Sequence, residues 1–292
     1  MDDNNGQFDI KRPGISTHTL RAAEVRRVDY PEPGSIEIPY WSAEGDLTQF
    51  KRWRLPFTRA NGQKYHQEAG SGVYAYYPPG FFRPTTAYGL SHDSRFWVEG
   101  EMKALSLLEL GVYAIGLPSF TVYTKDEEGR RQLLGDLQRI IAKQGVKTIY
   151  YLGDADTATN FEFSRNAAFL ASWASNCKVF LPRIPMDRPK GIDDCKEALN
   201  GEFHQFFTGL IRDAVPIDKR LDACSIALLL LEREQEVLKG LTGVERERQF
   251  ARIIKLCASA QSGSDSQATT RLHRRFARDG REFPSAKKNR VA

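Results

Sequence analysis

The chain has 292 residues, 41% of them apolar and 27% charged, with a formal net charge of +5; this is enough to bury a large core and too long for a bare peptide-binding module. The longest uninterrupted apolar run, Ile226 to Leu231, falls far short of the roughly 20 residues that a bilayer-crossing helix needs, so no membrane partner is expected. Four cysteines, Cys177, Cys195, Cys224 and Cys257, stand far apart without a C-x-x-C pair, which argues against a zinc module or a disulfide framework; the acidic, polar opening Met1-Asp2-Asp3-Asn4-Asn5 lacks a signal-peptide pattern, and the cytoplasm is the expected location.

Along the chain, residues 1–34 form an N-terminal segment in which Thr17 to Val25 has helical spacing behind a Ser or Thr cap and ends at Pro31 and Pro33. Residues 35–92 change to short alternating runs, Ile36 to Trp41, Leu47 to Trp53 and Val73 to Tyr77, broken by turns at Glu44-Gly45-Asp46 and Asn61-Gly62. This pattern predicts a small antiparallel α+β subdomain. It is also basic: between Lys51 and Lys64 stand five Lys or Arg residues and no acid, a source of positive potential for phosphates. Tyr74, Tyr76, Tyr77, Phe81 and Phe82 read as sheet packing rather than base stacking.

Residues 93–201 alternate between strands and helices. The spacing predicts a strand to Val98, a helix from Met102 to Leu110, a strand from Val112 to Gly116 and a helix from Arg130 to Gln144. A strand from Lys147 to Leu152, a helix from Phe161 to Ser175 and a strand from Cys177 to Leu181 follow. Alternation of this kind predicts βαβ units around a mostly parallel sheet. Residues 202–260 read as helical, with candidate helices Asp218 to Lys239 and Glu245 to Ala260. Residues 261–292 hold eight of the 42 Lys and Arg against three of the 37 Asp and Glu, an excess equal to that of the whole chain. Behind the linker Gln261 to Ser266, this tail reads as basic and disordered.

Three acidic clusters occur in order: Glu99-Gly100-Glu101 after Phe96-Trp97-Val98, Asp154-Ala155-Asp156 after Thr148 to Leu152, and Asp193-Asp194 after Lys190-Gly191-Ile192. The first two follow apolar, β-rich runs, so their carboxylates should emerge at carboxyl ends of parallel strands, where α/β folds keep their chemistry. Carboxylates gathered there repel one another unless a cation intervenes, and short hard-oxygen ligands suit Mg2+ or Mn2+. A D-x-D by itself is more simply a helix cap or solvated charge. The histidines show no ligand spacing.

The order Glu-Gly, then D-x-D, then a downstream acidic pair resembles the Toprim domain of bacterial-type primases, type IA and II topoisomerases and overcoming-lysogenization-type nucleases. Glu99, Asp154 and Asp156 match its signature, and Glu99 to Ser106 with Lys190 to Asp194 look like the form found in phage and plasmid primases. The resemblance implies a Rossmann-like Toprim core preceded by a small basic subdomain and followed by a helical region. It also implies a cytoplasmic DNA primase of the mobile-element type, joining nucleoside triphosphates on single-stranded DNA, with a replicative helicase or another replication protein as a possible partner.

In that reading Glu99, Asp154 and Asp156 are catalytic, the same three with Asp193 hold the metal, and Arg52, Arg54, Lys64, Lys103 and Lys190 bind nucleotide or DNA. One departure stands out: many relatives carry Asp where this chain has Lys103, which could neutralise Glu99 or hold a phosphate. The rivals are a Toprim nuclease, with water as the nucleophile, and a non-catalytic nucleic-acid-binding accessory protein.

Overall fold

The structure, a computed structural model, describes residues 10–79, 87–174 and 176–234. The candidate helix Glu245 to Ala260, the basic tail, Cys257, Phe81 and Phe82 lie outside the described residues. Among those described, Cys177, Cys195 and Cys224 are free thiols, and no helix is long and apolar enough to cross a membrane.

The chain is a mixed α/β protein with two principal sheets. After helix α1 (Thr17–Ala22), strands β1 (Arg26–Val28), β2 (Ser35–Trp41), β3 (Leu47–Arg54) and β4 (Tyr65–His66) form an antiparallel sheet in chain order. The first strand comes from the segment expected to be helical. Val73 to Tyr77 makes no strand, only single bridges from Tyr77 to Trp41 and from Tyr76 to Gly116. Tyr76 and Tyr77 are buried, as a packing role requires, while Tyr74 stays half exposed against Phe50.

The central sheet is built from β5 (Ser94–Glu99), β6 (Ala114–Leu117), β9 (Thr148–Leu152), β10 (Lys178–Leu181) and β11 (Val215–Ile217), in the order β11-β10-β9-β5-β6. All neighbours are parallel except β11, an antiparallel edge strand. This edge strand falls in the region expected to be helical throughout; at three residues it is too short to show a period. Strands β7 (Tyr123–Lys125) and β8 (Arg131–Leu133) form a hairpin; β8 occupies the start of the helix expected from Arg130 to Gln144, which begins only at α3 (Gly135–Lys143).

Burial on both faces explains the apolar strands. Trp97, Ile115, Ile149, Tyr151 and Val179 pack with α3, with α4 (Phe161–Trp173) and with α7 (Ala223–Arg233). Phe96, Val98, Ala114 and Leu152 face the other way, onto α2 (Glu101–Leu108), α5 (Ile192–Leu199) and α6 (Phe203–Arg212). Within Phe96-Trp97-Val98 the alternation therefore sends neighbours into opposite helix layers.

The two sheets are joined through a buried ionic contact. Tyr40 on β2 donates to Glu101 Oε1 at 2.5 Å, and Arg52 Nη1 on β3 reaches the same oxygen at 2.7 Å. Glu101, at the first turn of α2, is 1% exposed. Its charge is compensated by Arg52 and by the helix N-terminus. Burial opposes the charge on Arg52, but Glu101 and Tyr40 more than offset it and hold the guanidinium above its ordinary pKa. Arg52→Ala would leave the Glu101 carboxylate buried and uncompensated and should cost about 3–5 kcal/mol; a urea titration would show it as a lower midpoint at unchanged slope, and an unshifted midpoint would refute the joint.

Candidate active site

Strand order decides where a ligand can sit. From β5 the chain passes through α2 to β6 on one side, and then returns across β5 to β9 on the other. The connections diverge between β5 and β9, and the crevice at the carboxyl ends of two such strands is where open α/β sheets bind ligands. Glu99 is the last residue of β5, and Asp154 and Asp156 follow the end of β9. The sheet thus delivers the Glu-Gly and D-x-D motifs to its switch point.

Local geometry turns the side chains into the crevice. Gly100 adopts φ +82° between β5 and α2, a conformation that L side chains rarely take, so a strand can pass directly into a helix. Ala155 N donates to Lys190 O at 2.8 Å, which lays the Lys190-Gly191-Ile192-Asp193-Asp194 segment beside the D-x-D loop. Thr157 then ties back to Asp154 O through both its N–H and its hydroxyl. The helix-cap reading of D-x-D does not hold: Asn160 caps α4, accepting from Glu162 N and Phe163 N, and Asp156 makes no side-chain cap. The two aspartates of the third cluster divide the work, because Asp194 accepts from Gly191 N at the start of α5 while Asp193 is buried toward the acidic site.

Two lysines answer these carboxylates. Lys103, one turn into α2, places Nζ 2.8 Å from Asp154 Oδ1; Asp154 is 5% exposed in its side chain. Lys190, 64% exposed, lies 3.4 Å from Asp156 and 3.8 Å from Asp154. Burial raises the Glu99 carboxyl above its ordinary pKa; Lys103 and Lys190 oppose the shift, and Asp154 and Asp156 add to it. Asp193 is raised for the same first reason, with Lys103 and Arg12 opposing. Burial disfavours the charge on Lys103, but Asp154 and Glu99 outweigh it and keep its pKa above the usual lysine value. Lys103 and Lys190 thus lie against Asp154 and Asp156, and the charge of Lys103 also acts on Glu99 and Asp193. The partner Lys103 touches is Asp154 rather than Glu99.

The donor chemistry suits a hard divalent cation, and Asp193 Oδ1 is buried without a hydrogen-bond partner among the described residues. In this arrangement, however, no group of three or more acidic, His or Cys side chains among the described residues closes around a common point. The cation that stands against Asp154 is Lys103.

The basic stretch resolves into two populations. Lys51 pairs with Glu37, Arg52 with Glu101 and Arg59 with Glu32, so acids from elsewhere in the chain neutralise three of the five cations. For Arg52 this corrects the expectation of a phosphate contact: its side chain is 12% exposed and held on a buried carboxylate. Arg54 and Lys64 instead line a cleft of about 430 Å³ with Arg12 and Arg27, beside the exposed Phe57, and no carboxylate lines it.

Sequence reasoning missed Arg12. Its segment is fixed by tertiary contacts, with Gly14 N donating to Glu197 at 3.0 Å and Lys196 Nζ donating to Gly14 O at 2.8 Å. No periodicity signals such a placement. Burial and the neighbouring Arg54 both lower the Arg12 pKa, and Asp193 and Asp194 raise it. Arg12 therefore stands between cleft and acidic site.

A family model described as a domain of unknown function (DUF3854) matches residues 94–199, a span that contains all four carboxylates of the site and both lysines. No curated protein is significantly similar to the chain. Among solved structures, the Aquifex aeolicus primase, comprising zinc-binding and RNA polymerase domains, is similar over 85% of this chain and 57% of its own length, at 14% identity and a TM-score of 0.43. The chain thus spans little more than half of that protein. A DNA primase domain from Pseudomonas aeruginosa is similar over 82% of this chain and 74% of its own, at 16% identity and a TM-score of 0.42. The DnaG catalytic core is similar over 89% and 76%, at 14% identity and a TM-score of 0.42.

A raised Glu99 pKa means that the folded protein favours the protonated acid. The associated stability is present below the ordinary glutamate pKa and is lost as pH rises through the raised value. Glu99→Gln should therefore stabilise the fold relative to the unsubstituted chain at neutral pH, with the gain shrinking to near zero in acid. Urea titrations of both proteins across that range measure it, and a pH-independent difference would contradict the assignment.

Proposed function

We propose that the chain is a DNA primase of the phage or mobile-element type, joining nucleoside triphosphates into short primers on single-stranded DNA. The observation that supports this best is the convergence of Glu99, Asp154 and Asp156 at the switch point of the central sheet, with a carboxylate-free basic cleft beside it. Nucleotidyl transfer needs both: a place to gather triphosphate charge and a place to hold a polyanionic template.

In this reading Mg2+ or Mn2+ is the cofactor, Glu99, Asp154 and Asp156 would hold it with Asp193 behind them, and when bound it supplies charge neutralisation for the triphosphate and acidity for the attacking hydroxyl. Glu99 binds the metal or accepts the hydroxyl proton; burial holds its carboxyl above the ordinary glutamate pKa. Lys190, largely exposed at the rim, meets the phosphates of the incoming nucleotide. Arg12, Arg54 and Lys64 track the template backbone, and Phe57 offers an exposed ring for a base. A replicative helicase or another replication protein would supply unwinding.

Incubation with single-stranded template, labelled nucleotides and Mg2+ or Mn2+ should yield short primers. The Asp154→Asn, Asp156→Asn double variant should lose the product while retaining DNA affinity within a few fold, since the basic cleft supplies that term. Shortened template without primers would indicate a nuclease and overturn the proposal; binding without either product would indicate an accessory protein. In the same binding assay, each of Arg54→Ala and Lys64→Ala should reduce the slope of log affinity against log salt by about 1. An unchanged slope would remove the cleft from the template path.

A further inference from the structure

The cation already present in the acidic site is part of the protein. Lys103 Nζ stands 2.8 Å from Asp154 Oδ1, with its side chain only 18% exposed and the carboxylate 5%. It does not arrive there by chance rotation of a surface lysine. Its stem is threaded past the backbone of Gly191, where a Cβ would lie 2.8 Å from Lys103 Cε and 2.4 Å from Asp193 Oδ1. Both distances are shorter than real Cβ contacts, so Gly191 leaves the lysine and the aspartate room in their present positions, and a side chain there would require one of them to move. From α2, Lys103 therefore reaches the D-x-D loop after β9 and the loop before α5, joining the three motifs from the inside.

An ammonium in this position performs one task of a divalent ion and forbids another. It screens Asp154 from Glu99 and Asp193, which permits the carboxylates to gather. It also repels any ion that approaches Asp154 from the same side. A divalent ion and an ammonium a few ångströms apart in a partly buried site repel strongly. Two divalent ions and Lys103 do not fit together on four carboxylates.

We propose that Lys103 is a built-in cation that limits the acidic site to a single Mg2+ or Mn2+. This rests on the reading of Glu99, Asp154 and Asp156 as metal ligands. Lys103 is then a positioning residue: it fixes Asp154 and sets the metal count, and Lys190 remains the lysine open to phosphate.

Manganese titration of the full chain, read by electron paramagnetic resonance and equilibrium dialysis, tests this without recourse to activity. The unsubstituted chain should bind one Mn2+ that the Asp154→Asn, Asp156→Asn variant loses. Lys103→Asp should bind two. Lys103→Gln, which removes the charge without adding a ligand, should tighten the single site by at least about tenfold and serves if the aspartate variant fails to fold. Two site-dependent ions in the unsubstituted chain would overturn the inference and leave the metal reading intact. One ion in Lys103→Asp, with unchanged affinity in Lys103→Gln, would also overturn it. Absence of any ion sensitive to Asp154 and Asp156, in the unsubstituted chain and in both Lys103 variants, would instead remove the metal reading on which it depends.

Discussion

Four carboxylates cannot share the end of a sheet without positive charge among them, and the organisation of this molecule follows from that electrostatic constraint. Glu99, Asp154, Asp156 and Asp193 come from three separate segments, and their repulsion must be overcome each time the chain folds. Lys103 supplies the nearest counter-charge from within the core, and Lys190 supplies a second from the rim. With every group ionised, four negative and two positive charges leave the cluster at −2. Glu99 and Asp193 are both displaced toward the neutral acid, chiefly by burial. A triphosphate could not enter such a pocket on its own; the residual charge is what makes a further cation favourable there.

The acidic site was legible in the sequence because each of its parts is local. A β-rich run followed by a carboxylate fixes which end of which strand the acid occupies, and parallel strands put such ends on one edge of the sheet. Which strands become neighbours is less local: alternating strands and helices predict a parallel sheet but not its order, and that β5 lies beside β9 is seen only in the structure. The basic partners were less legible, since the sequence shows where a cation lies in the chain but not which acid it meets. Arg52 and Arg54 differ by two residues on the same strand; one ends on Glu101, 49 residues away, and the other borders an open cleft. Arg12 joins that cleft from the far end of the chain. The short edge strand β11 and the β7–β8 hairpin were missed for another reason: three residues cannot display a period of two against the helical spacing around them.

The Glu-Gly-Glu motif couples the two halves of the protein. Its first glutamate faces the acidic pocket, Gly100 provides the turn, and Glu101 carries the contact to Tyr40 and Arg52 of the smaller sheet. Because Glu99 and Glu101 lie on either side of a single residue with left-handed backbone, a shift of the smaller sheet would be felt at the catalytic candidate within a few ångströms. The same strand that supplies Arg52 to this joint supplies Arg54 to the cleft. The buried contact at Glu101 and the apolar packing of Ile38, Tyr40 and Tyr76 against α2 and β5 together orient the basic surface relative to the carboxylates.

Several cations of the basic stretch are taken up by acids elsewhere in the chain. An exposed arginine row beside four carboxylates would collapse onto them and neutralise the pocket. Pairing Lys51, Arg52 and Arg59 with Glu37, Glu101 and Glu32 keeps that charge in place, while Arg54 and Lys64 border a cleft that no carboxylate lines. Positive and negative surfaces can then persist side by side. Arg12, drawn by Asp193 and Asp194 and repelled by Arg54, marks the boundary between them.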